Sequence, residues 1–307
     1  MERRNFLKTL SLLGIGLITN PFSNATLLAA KNNSKNNATS KLLNAAEIEK
    51  ITITKFNTII KKAISEKWHS IPIGDLISRV ALEFVDTPYV AGTLDINPNS
   101  ENTIINFAGL DCVTFFENSL CLARCIKKQM YEFDDLINEV TFTRYRNGII
   151  TDYSSRLHYT SDWIFDNVKK GVVQDITSEI GGKEHKFNIS YMTKNPQHYE
   201  ALNQPNNSTL IDKKKIVEAN INNQTFYVIP ISKIPQAMKK INNGDIIAIA
   251  ISTAGLDYGH TGLSFDDKFM HASRKFKKVI IDKSIANYIK TSAKNIGISV
   301  LRPLEIN

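Results

Sequence analysis

The sequence predicts an α+β protein in which helices pack against an antiparallel sheet. Helical patterns occupy an N-terminal part, about residues 45–79, and an apolar-periodic helix is expected over Cys112–Lys127. The last quarter of the chain instead contains short alternating runs that are typical of strands. These runs lie at residues 246–251, 261–265, 279–281 and 298–301. Helices and strands that occupy separate parts of the chain favour the α+β class.

Length and composition exclude several classes of protein. The chain has 307 residues, of which 42% are hydrophobic and 22% are charged. These values are ordinary for globular proteins and unlike those of disordered, collagen-like or polytopic membrane proteins. The formal charge is +8, and the first thirty residues contribute +2 of it. The remaining +6 is spread over small clusters such as residues 213–215, which we interpret as solvated faces. Nucleic acid is therefore not the expected partner.

The first thirty residues are typical of an export signal. Arg3 and Arg4 precede an apolar stretch at residues 10–18, which is followed by small residues. The stretch is far shorter than the roughly 20 apolar residues that span a bilayer, so we expect no integral membrane segment in the mature chain. The pattern resembles a twin-arginine signal, with an ordinary secretory signal as the alternative. We therefore expect export, to the periplasm, with a flexible linker over residues 31–44 and a single domain over residues 45–307.

The cysteines favour a reactive thiol over a disulfide framework, because an odd number in an exported protein leaves at least one thiol free. Cys121 and Cys125 lie among apolar residues of one expected helix, and we interpret them as core residues. Cys112 lies at the start of that helix, directly after Asp111. Unpaired backbone N–H groups at a helix start favour the thiolate and can stabilise an oxyanion. Cys112 is therefore a candidate nucleophile, with a buried structural cysteine as the alternative.

Two of the six histidines are expected on one face of a β-hairpin. His260 belongs to a strand that ends before a turn at residues 266–267, and His271 belongs to the returning strand. If Phe265 pairs with Lys268, the two histidines are diagonal neighbours on one face, whereas a one-residue change in the loop would separate them. His260 could then act as a base that His271 orients. Two unrelated strand histidines are the alternative. A Cys/His/His metal site is a weaker one, and we predict neither a metal nor a cofactor.

Five short motifs follow one another along the chain: Thr87-Pro88-Tyr89-Val90-Ala91-Gly92, Leu110-Asp111-Cys112, Asn243-Gly244-Asp245-Ile246-Ile247, Gly259-His260-Thr261-Gly262 and Met270-His271-Ala272. Their order resembles the NlpC-type branch of papain-like enzymes, which hydrolyse bacterial cell-wall peptides. The resemblance implies a catalytic helix packed on a small antiparallel sheet.

The resemblance also implies a role for each residue of the motifs. Cys112 corresponds to the nucleophile, His260 to the base and His271 to the orienting residue. Tyr89 would lie beside the thiol and help to bind the oxyanion or the substrate, unless it is a buried core tyrosine. Asp111 is expected to cap the helix, and its backbone would border the nucleophile.

Two departures from the compact members of that family point to a distinct branch. Cys112 is followed by Val-Thr-Phe instead of Ser-Gly, and His260 lies 148 positions further along the chain. These features resemble N-acetylmuramoyl-L-alanine amidases that act on small muropeptides. The extra segment, residues 131–240, is expected to shape the substrate site. Within it, Arg156 and His158, together with a neighbouring tyrosine and tryptophan, offer donors and flat faces for a sugar or a carboxylate, with a surface loop as the alternative.

The sequence therefore predicts a cysteine amidase that acts on muropeptides or peptidoglycan fragments. It would cleave the amide between N-acetylmuramic acid and L-alanine. Within the same class, a D-γ-glutamyl endopeptidase acting inside the stem peptide is the alternative. A non-catalytic peptidoglycan-binding protein is the alternative from another class, and an acyltransferase on the same scaffold is more remote.

Overall fold

A computed structural model describes residues 43–306. The expected export signal and residues 31–42 of the expected linker lie outside the described residues. Within residues 43–306, no helix combines the length and the apolar character that crossing a membrane requires.

Helices and strands alternate irregularly along the described chain. The α-helices are α1 (Ala45–Ser65), α2 (Ile73–Leu82), α3 (Cys112–Lys127), α4 (Phe133–Arg144), α5 (Thr160–Lys169), α6 (Tyr191–Lys194), α7 (Ser208–Asn222), α8 (Ile234–Ala237) and α9 (Ile285–Tyr288). The strands are β1 (Val173–Asp175), β2 (Lys183–His185), β3 (Phe226–Pro230), β4 (Ile246–Ile251), β5 (Tyr258–Phe265), β6 (Lys268–Ser273), β7 (Lys278–Ile281) and β8 (Asn295–Pro303). Short 3₁₀ turns lie at Trp68–Ser70, Arg146–Gly148, Tyr153–Ser155, Pro196–His198, Ile231–Lys233, Met238–Lys240 and Ile289–Thr291.

The eight strands form one sheet with the order β2-β3-β8-β4-β5-β6-β7, and β1 also pairs with β8. Every strand pairing within it is antiparallel. β4 lies in the middle, between β8 and β5. Because α3 and other helices pack against this antiparallel sheet, the architecture is α+β.

The sheet is covered on both faces, which explains why all six residues of β4 are apolar. Ile246, Ala248 and Ala250 point into the larger core together with residues of α1 to α5. Ile247 and Ile249 point into a smaller core that α8 and α9 close. Alternate side chains of a strand point to opposite faces, so each face of β4 is buried by a different set of helices.

Two buried ion pairs connect α3 to α4. Arg144 donates to Glu117 over 2.6 Å, and the two side chains are 3% and 1% exposed. Arg124 pairs with Glu139 over 2.5 Å. The segment at residues 131–240 is therefore built into the core from its first helix onward, since α4 belongs to it.

Candidate active site

Cys112 is the first residue of α3, because Asp111 caps the helix there. The Asp111 carboxylate accepts a hydrogen bond from the backbone N–H of Thr114 over 2.8 Å, and the Asp111 N–H donates to the Thr114 hydroxyl over 2.9 Å. This reciprocal capping box fixes where the helix begins. The first backbone N–H groups of a helix have no partner within it, so those that no cap engages are available as donors near the start of α3.

Burial and charge favour the protonated form of Cys112, contrary to the expectation from its position alone. Burial raises the pKa of the thiol to about 11, the Asp111 carboxylate contributes in the same direction, and Thr261 opposes both. Desolvation, which disfavours the charged form, is the largest of these effects. Cys112 is a thiol at neutral pH and needs a base to become a nucleophile.

The histidine hairpin has the register that the sequence predicts. Phe265 pairs with Lys268, and the two turn residues between them have positive φ angles. Such a two-residue turn matches the twist of the strands. His260 Nε2 and His271 Nδ1 are 2.8 Å apart and share a hydrogen bond. The prediction that these two side chains meet on one face is confirmed.

Both imidazoles are neutral at pH 7. Burial, and then the neighbouring His271, lower the pKa of His260 from 6.5 to about 3. Burial also lowers the pKa of His271, and Asp282 opposes this effect. Phe269 stacks on His271 and Tyr288 stacks on His260, with ring centroids 4.7 and 5.6 Å apart. A neutral imidazole can accept a proton, so the pair is in the form that a general base requires.

The cysteine and the histidine meet in one cleft. The Thr261 hydroxyl donates to the Cys112 carbonyl over 3.0 Å, which ties β5 to the start of α3. Cys112, His260 and Thr261 together line a cleft of about 180 Å³. Tyr89 lies near enough to Cys112 and Asp111 for their charges to add to the effect of burial, which raises the pKa of the phenol to about 12.

A close approach of backbone and ring explains the glycine in the middle of β5. A Cβ atom at Gly262 would lie 2.6 Å from the Phe269 ring and 2.6 Å from the Met270 carbonyl. Phe269 is the ring that stacks on His271. Gly262 therefore leaves room for the aromatic packing that holds the second histidine in place.

The segment at residues 131–240 supplies part of the cleft. Five of its residues line it: His158, Tyr159, Thr160, Met192 and Tyr199. The Tyr159 hydroxyl donates to Glu218 over 2.8 Å and accepts from the Met192 N–H over 2.8 Å. The tyrosine is thus oriented by two partners from the same segment.

Two residues expected to bind substrate are instead buried in the structure. Arg156 is 5% exposed and pairs with Asp95 and Glu101, and it does not line the cleft. Trp163 is 2% exposed and donates to Glu117 over 3.1 Å inside the core. Both side chains thus have hydrogen-bonding or ion-pair partners within the protein, as buried polar groups generally do, and their contact with substrate stays a prediction.

A buried lysine lies behind His158. Arg156 Nε donates to His158 Nε2 over 3.2 Å, and Lys214 Nζ lies 2.7 Å from His158 Nδ1. Lys214 is fully buried, which corrects its interpretation as part of a solvated cluster; its neighbour Lys215 is exposed. Burial lowers the pKa of Lys214 to about 7. Burial, followed by the two cations, lowers the pKa of His158 well below its ordinary value.

Comparison with known families decides which proteins this chain is related to. The AmiA-like family, described as N-acetylmuramoyl-L-alanine amidase-like, matches residues 79–298. The chain belongs to this family. The matched AmiA-like region contains Cys112, His260 and His271 as well as the whole segment at residues 131–240.

Solved structures of similar proteins match most of this chain. An N-acetylmuramoyl-L-alanine amidase from Bacteroides uniformis is 33% identical, with a TM-score of 0.69, over 75% of this chain and 98% of its own. A Bacteroides fragilis protein provisionally named a xylanase is 35% identical, with a TM-score of 0.67, over 73% and 99%. A Legionella pneumophila protein, 22% identical with a TM-score of 0.64 over 85% and 97%, shares the fold. The search of curated proteins finds no match.

Two residues of this AmiA-like site were missed by sequence reasoning. Asp282 follows β7, and its Oδ2 atom lies 3.6 Å from His271 Nε2. Tyr288, in α9, packs on His260 and on His271. No sequence motif marks either residue, although the strand-like run at residues 279–281, directly before Asp282, can be recognised in the sequence. Among residues 43–306, no group of three or more His, Cys, Asp or Glu side chains is arranged to hold a metal ion.

Proposed function

We propose that this protein hydrolyses the amide bond between N-acetylmuramic acid and L-alanine in muropeptides, with Cys112 as nucleophile. The observation that carries the proposal is the cleft in which a helix-starting cysteine and a paired histidine meet, within a chain of the AmiA-like family. The predicted export signal would deliver the enzyme to the periplasm, where wall fragments are produced. We also propose that its fold is related to that of the NlpC-type papain-like enzymes.

The chemistry begins with proton transfer, because both partners start neutral. His260 takes the proton of the Cys112 thiol as the sulfur attacks the carbonyl carbon of the lactyl group. The oxyanion that forms is held by backbone N–H groups at the start of α3. The C–N bond then breaks, and His260 gives its proton to the departing amine of L-alanine. Water, with His260 again as base, hydrolyses the thioester and releases the lactyl carboxylate.

The same site does not fit the cleavage of a glycosidic bond, which the name of the Bacteroides fragilis protein suggests. Glycosidases that hydrolyse such bonds generally use two carboxyl groups on either side of the bond. The acidic residue that lines the cleft here is Asp257. It accepts hydrogen bonds from the backbone N–H groups of Ser161 and Tyr258, over 2.7 Å each. A cysteine with a neutral histidine instead fits acyl transfer.

Product analysis separates the amidase from its alternatives. Purified protein is incubated with a defined muropeptide, and the products are identified by mass spectrometry. We expect free sugar together with the intact stem peptide. A cut inside the peptide would show a D-γ-glutamyl endopeptidase. Binding without any cleavage would show a wall-binding protein and contradict the proposal.

Matched variants test the assignment of the residues. We expect Cys112→Ala and His260→Ala each to reduce kcat by about 10³-fold or more, because each removes a group that acts in the chemical step. His69→Ala, in the turn after α1, serves as the control and should retain the wild-type rate. Full turnover by His260→Ala would contradict its role as the base, whatever product the wild-type protein makes.

A further inference from the structure

The position of Asp282 has a consequence for the proton arrangement of the histidine pair. Its Oδ2 atom lies 3.6 Å from His271 Nε2, longer than a hydrogen bond but within ion-pair distance. His271 is 1% exposed, and its Nε2 atom has no hydrogen-bond partner among the described residues. An N–H group buried there would point toward a carboxylate, whereas a bare nitrogen would turn its lone pair toward the negative carboxylate oxygen, which is unfavourable.

The backbone around Asp282 holds the carboxylate in this position. The Asp282 N–H donates to the Phe269 carbonyl over 2.8 Å, and the Phe269 N–H donates to the Lys283 carbonyl over 3.1 Å. The Lys283 N–H donates to Asp282 Oδ1 over 2.7 Å. One carboxylate oxygen is thus occupied by the backbone, and the other is the one nearest to His271.

Two neutral imidazoles joined by one hydrogen bond have two possible proton arrangements. In the first, His260 Nε2–H donates to His271 Nδ1, so that His260 Nδ1 is a free base and His271 carries its proton on Nε2. In the second, His271 Nδ1–H donates to His260 Nε2, so that His260 carries its single ring proton on Nδ1 and cannot accept one there. Heavy-atom positions alone do not distinguish the two arrangements.

We propose that Asp282 is a positioning residue that selects the first arrangement and thereby leaves His260 Nδ1 unprotonated for Cys112. Only that arrangement places an N–H group toward the Asp282 carboxylate. The other side chains that face His271 are the rings of Phe269 and Tyr288, which pack on it with centroids 4.7 and 4.9 Å away. An interaction with the backbone of Ala272 also raises the pKa of His271, and the Asp282 variants leave Ala272 unchanged.

This inference rests on the proposed role of His260 as the base, but its main test needs no substrate. Protein labelled with ¹⁵N-histidine is studied by NMR at pH 7, where nitrogen shifts report which ring nitrogen carries a proton. Signals are assigned with His260→Gln and His271→Gln. In the wild type we expect protons on Nε2 of both histidines and a bare Nδ1 on His260.

Three variants provide the comparison. Asp282→Ala removes the charge, and Asp282→Asn keeps the shape while offering an N–H donor to His271 Nε2. Both should shift His260 toward the arrangement with a proton on Nδ1. If Asp282→Ala does not fold, the result for Asp282→Asn alone tests the inference. Asp86→Ala removes an exposed aspartate that pairs with Lys278 of β7, and it should leave the signals unchanged. On muropeptide, the Asp282 variants should lose about 10-fold to 100-fold in kcat with little change in KM, as is usual when an orienting partner is removed.

The outcomes separate this inference from the proposed function. Wild-type signals already in the second arrangement, or signals unaffected by both Asp282 variants, would overturn it even if the enzyme is active. A shift of the histidine signals in a protein that does not cleave muropeptides would support the role of Asp282 and contradict the proposed reaction instead.

Discussion

Asp111 affects both the start of helix α3 and the thiol of Cys112 next to it. Its carboxylate accepts the Thr114 N–H bond that starts the helix, and so positions the sulfur at the helix start. The same negative charge adds to burial in raising the pKa of Cys112. The residue that positions the sulfur therefore also adds to the burial that favours the protonated thiol.

Replacing Asp111 separates these two effects. Asparagine caps helices about as well as aspartate but is neutral. Asp111→Asn should therefore preserve stability and lower the pKa of Cys112, which should increase its rate of alkylation by iodoacetamide at pH 8 by about twofold to tenfold. The measurement is the rate of alkylation at that single cysteine, followed by mass spectrometry.

The control for this prediction is Asp111→Ala, which removes both the charge and the cap. It should lose about 0.5–2 kcal/mol of stability, measured by urea unfolding. If Asp111→Asn were alkylated no faster than the wild type, the charge of Asp111 would not be what keeps the thiol protonated.

At the scale of elements, the ion pair between α3 and α4 holds the helix that begins at Cys112 against the segment at residues 131–240. Glu117 and Arg144 are almost completely buried, and Trp163 of α5 also donates to Glu117. Removing one partner of such a pair leaves the other charge buried and unpaired. We expect Glu117→Ala to cost about 3–5 kcal/mol in the free energy of unfolding.

An exposed pair on the same protein gives the matched comparison. Asp212 and Lys215 of α7 are 67% and 61% exposed and 2.9 Å apart. Asp212→Ala should change stability by less than about 1 kcal/mol. Replacing Glu117 and Arg144 together by leucine and methionine should cost less than Glu117→Ala alone. Equal costs for the buried and the exposed single variants would contradict the account.

Patterns that are local in sequence predicted their elements well. The helix Cys112–Lys127 and the strand Ile246–Ile251 have the expected bounds. The hairpin register followed from a two-residue turn and a period of two, which are fixed by backbone geometry. Asp282 gave no such signal, because the sheet brings it to His271 through the pairing of β6 with β7. The burial of Arg156 gave no local signal either, because its partner Asp95 lies 61 residues earlier in the chain.

At the scale of the whole molecule, the segment at residues 131–240 combines structural and site-forming roles. It contributes Glu139 and Arg144 to the buried ion pairs and His158 and Tyr159 to the cleft. Changes inside its core should therefore reach the active site. The composition of the segment could not predict these two roles, because charged and aromatic residues occur both in surface loops and in buried hydrogen-bond networks.

Lys214 should make the stability of the whole protein depend on pH above neutrality. Its pKa is about 7 in the folded state and 10.5 when exposed, so between these values unfolding takes up a proton. Stability should rise as pH increases from 7 to 8.5, by up to about 1.4 kcal/mol per pH unit from this group. The cysteines act in the opposite direction near pH 9 and above, since their pKa values are raised, so the effect of Lys214 is best measured below pH 9.

Urea unfolding at pH 7.0 to 8.5 tests this dependence. The rise in stability should be smaller for Lys214→Met than for the wild type, while Lys215→Met, at an exposed neighbour, should keep the wild-type slope. An unchanged slope in Lys214→Met would mean that the amine remains charged in the folded protein, held by contacts stronger than its burial.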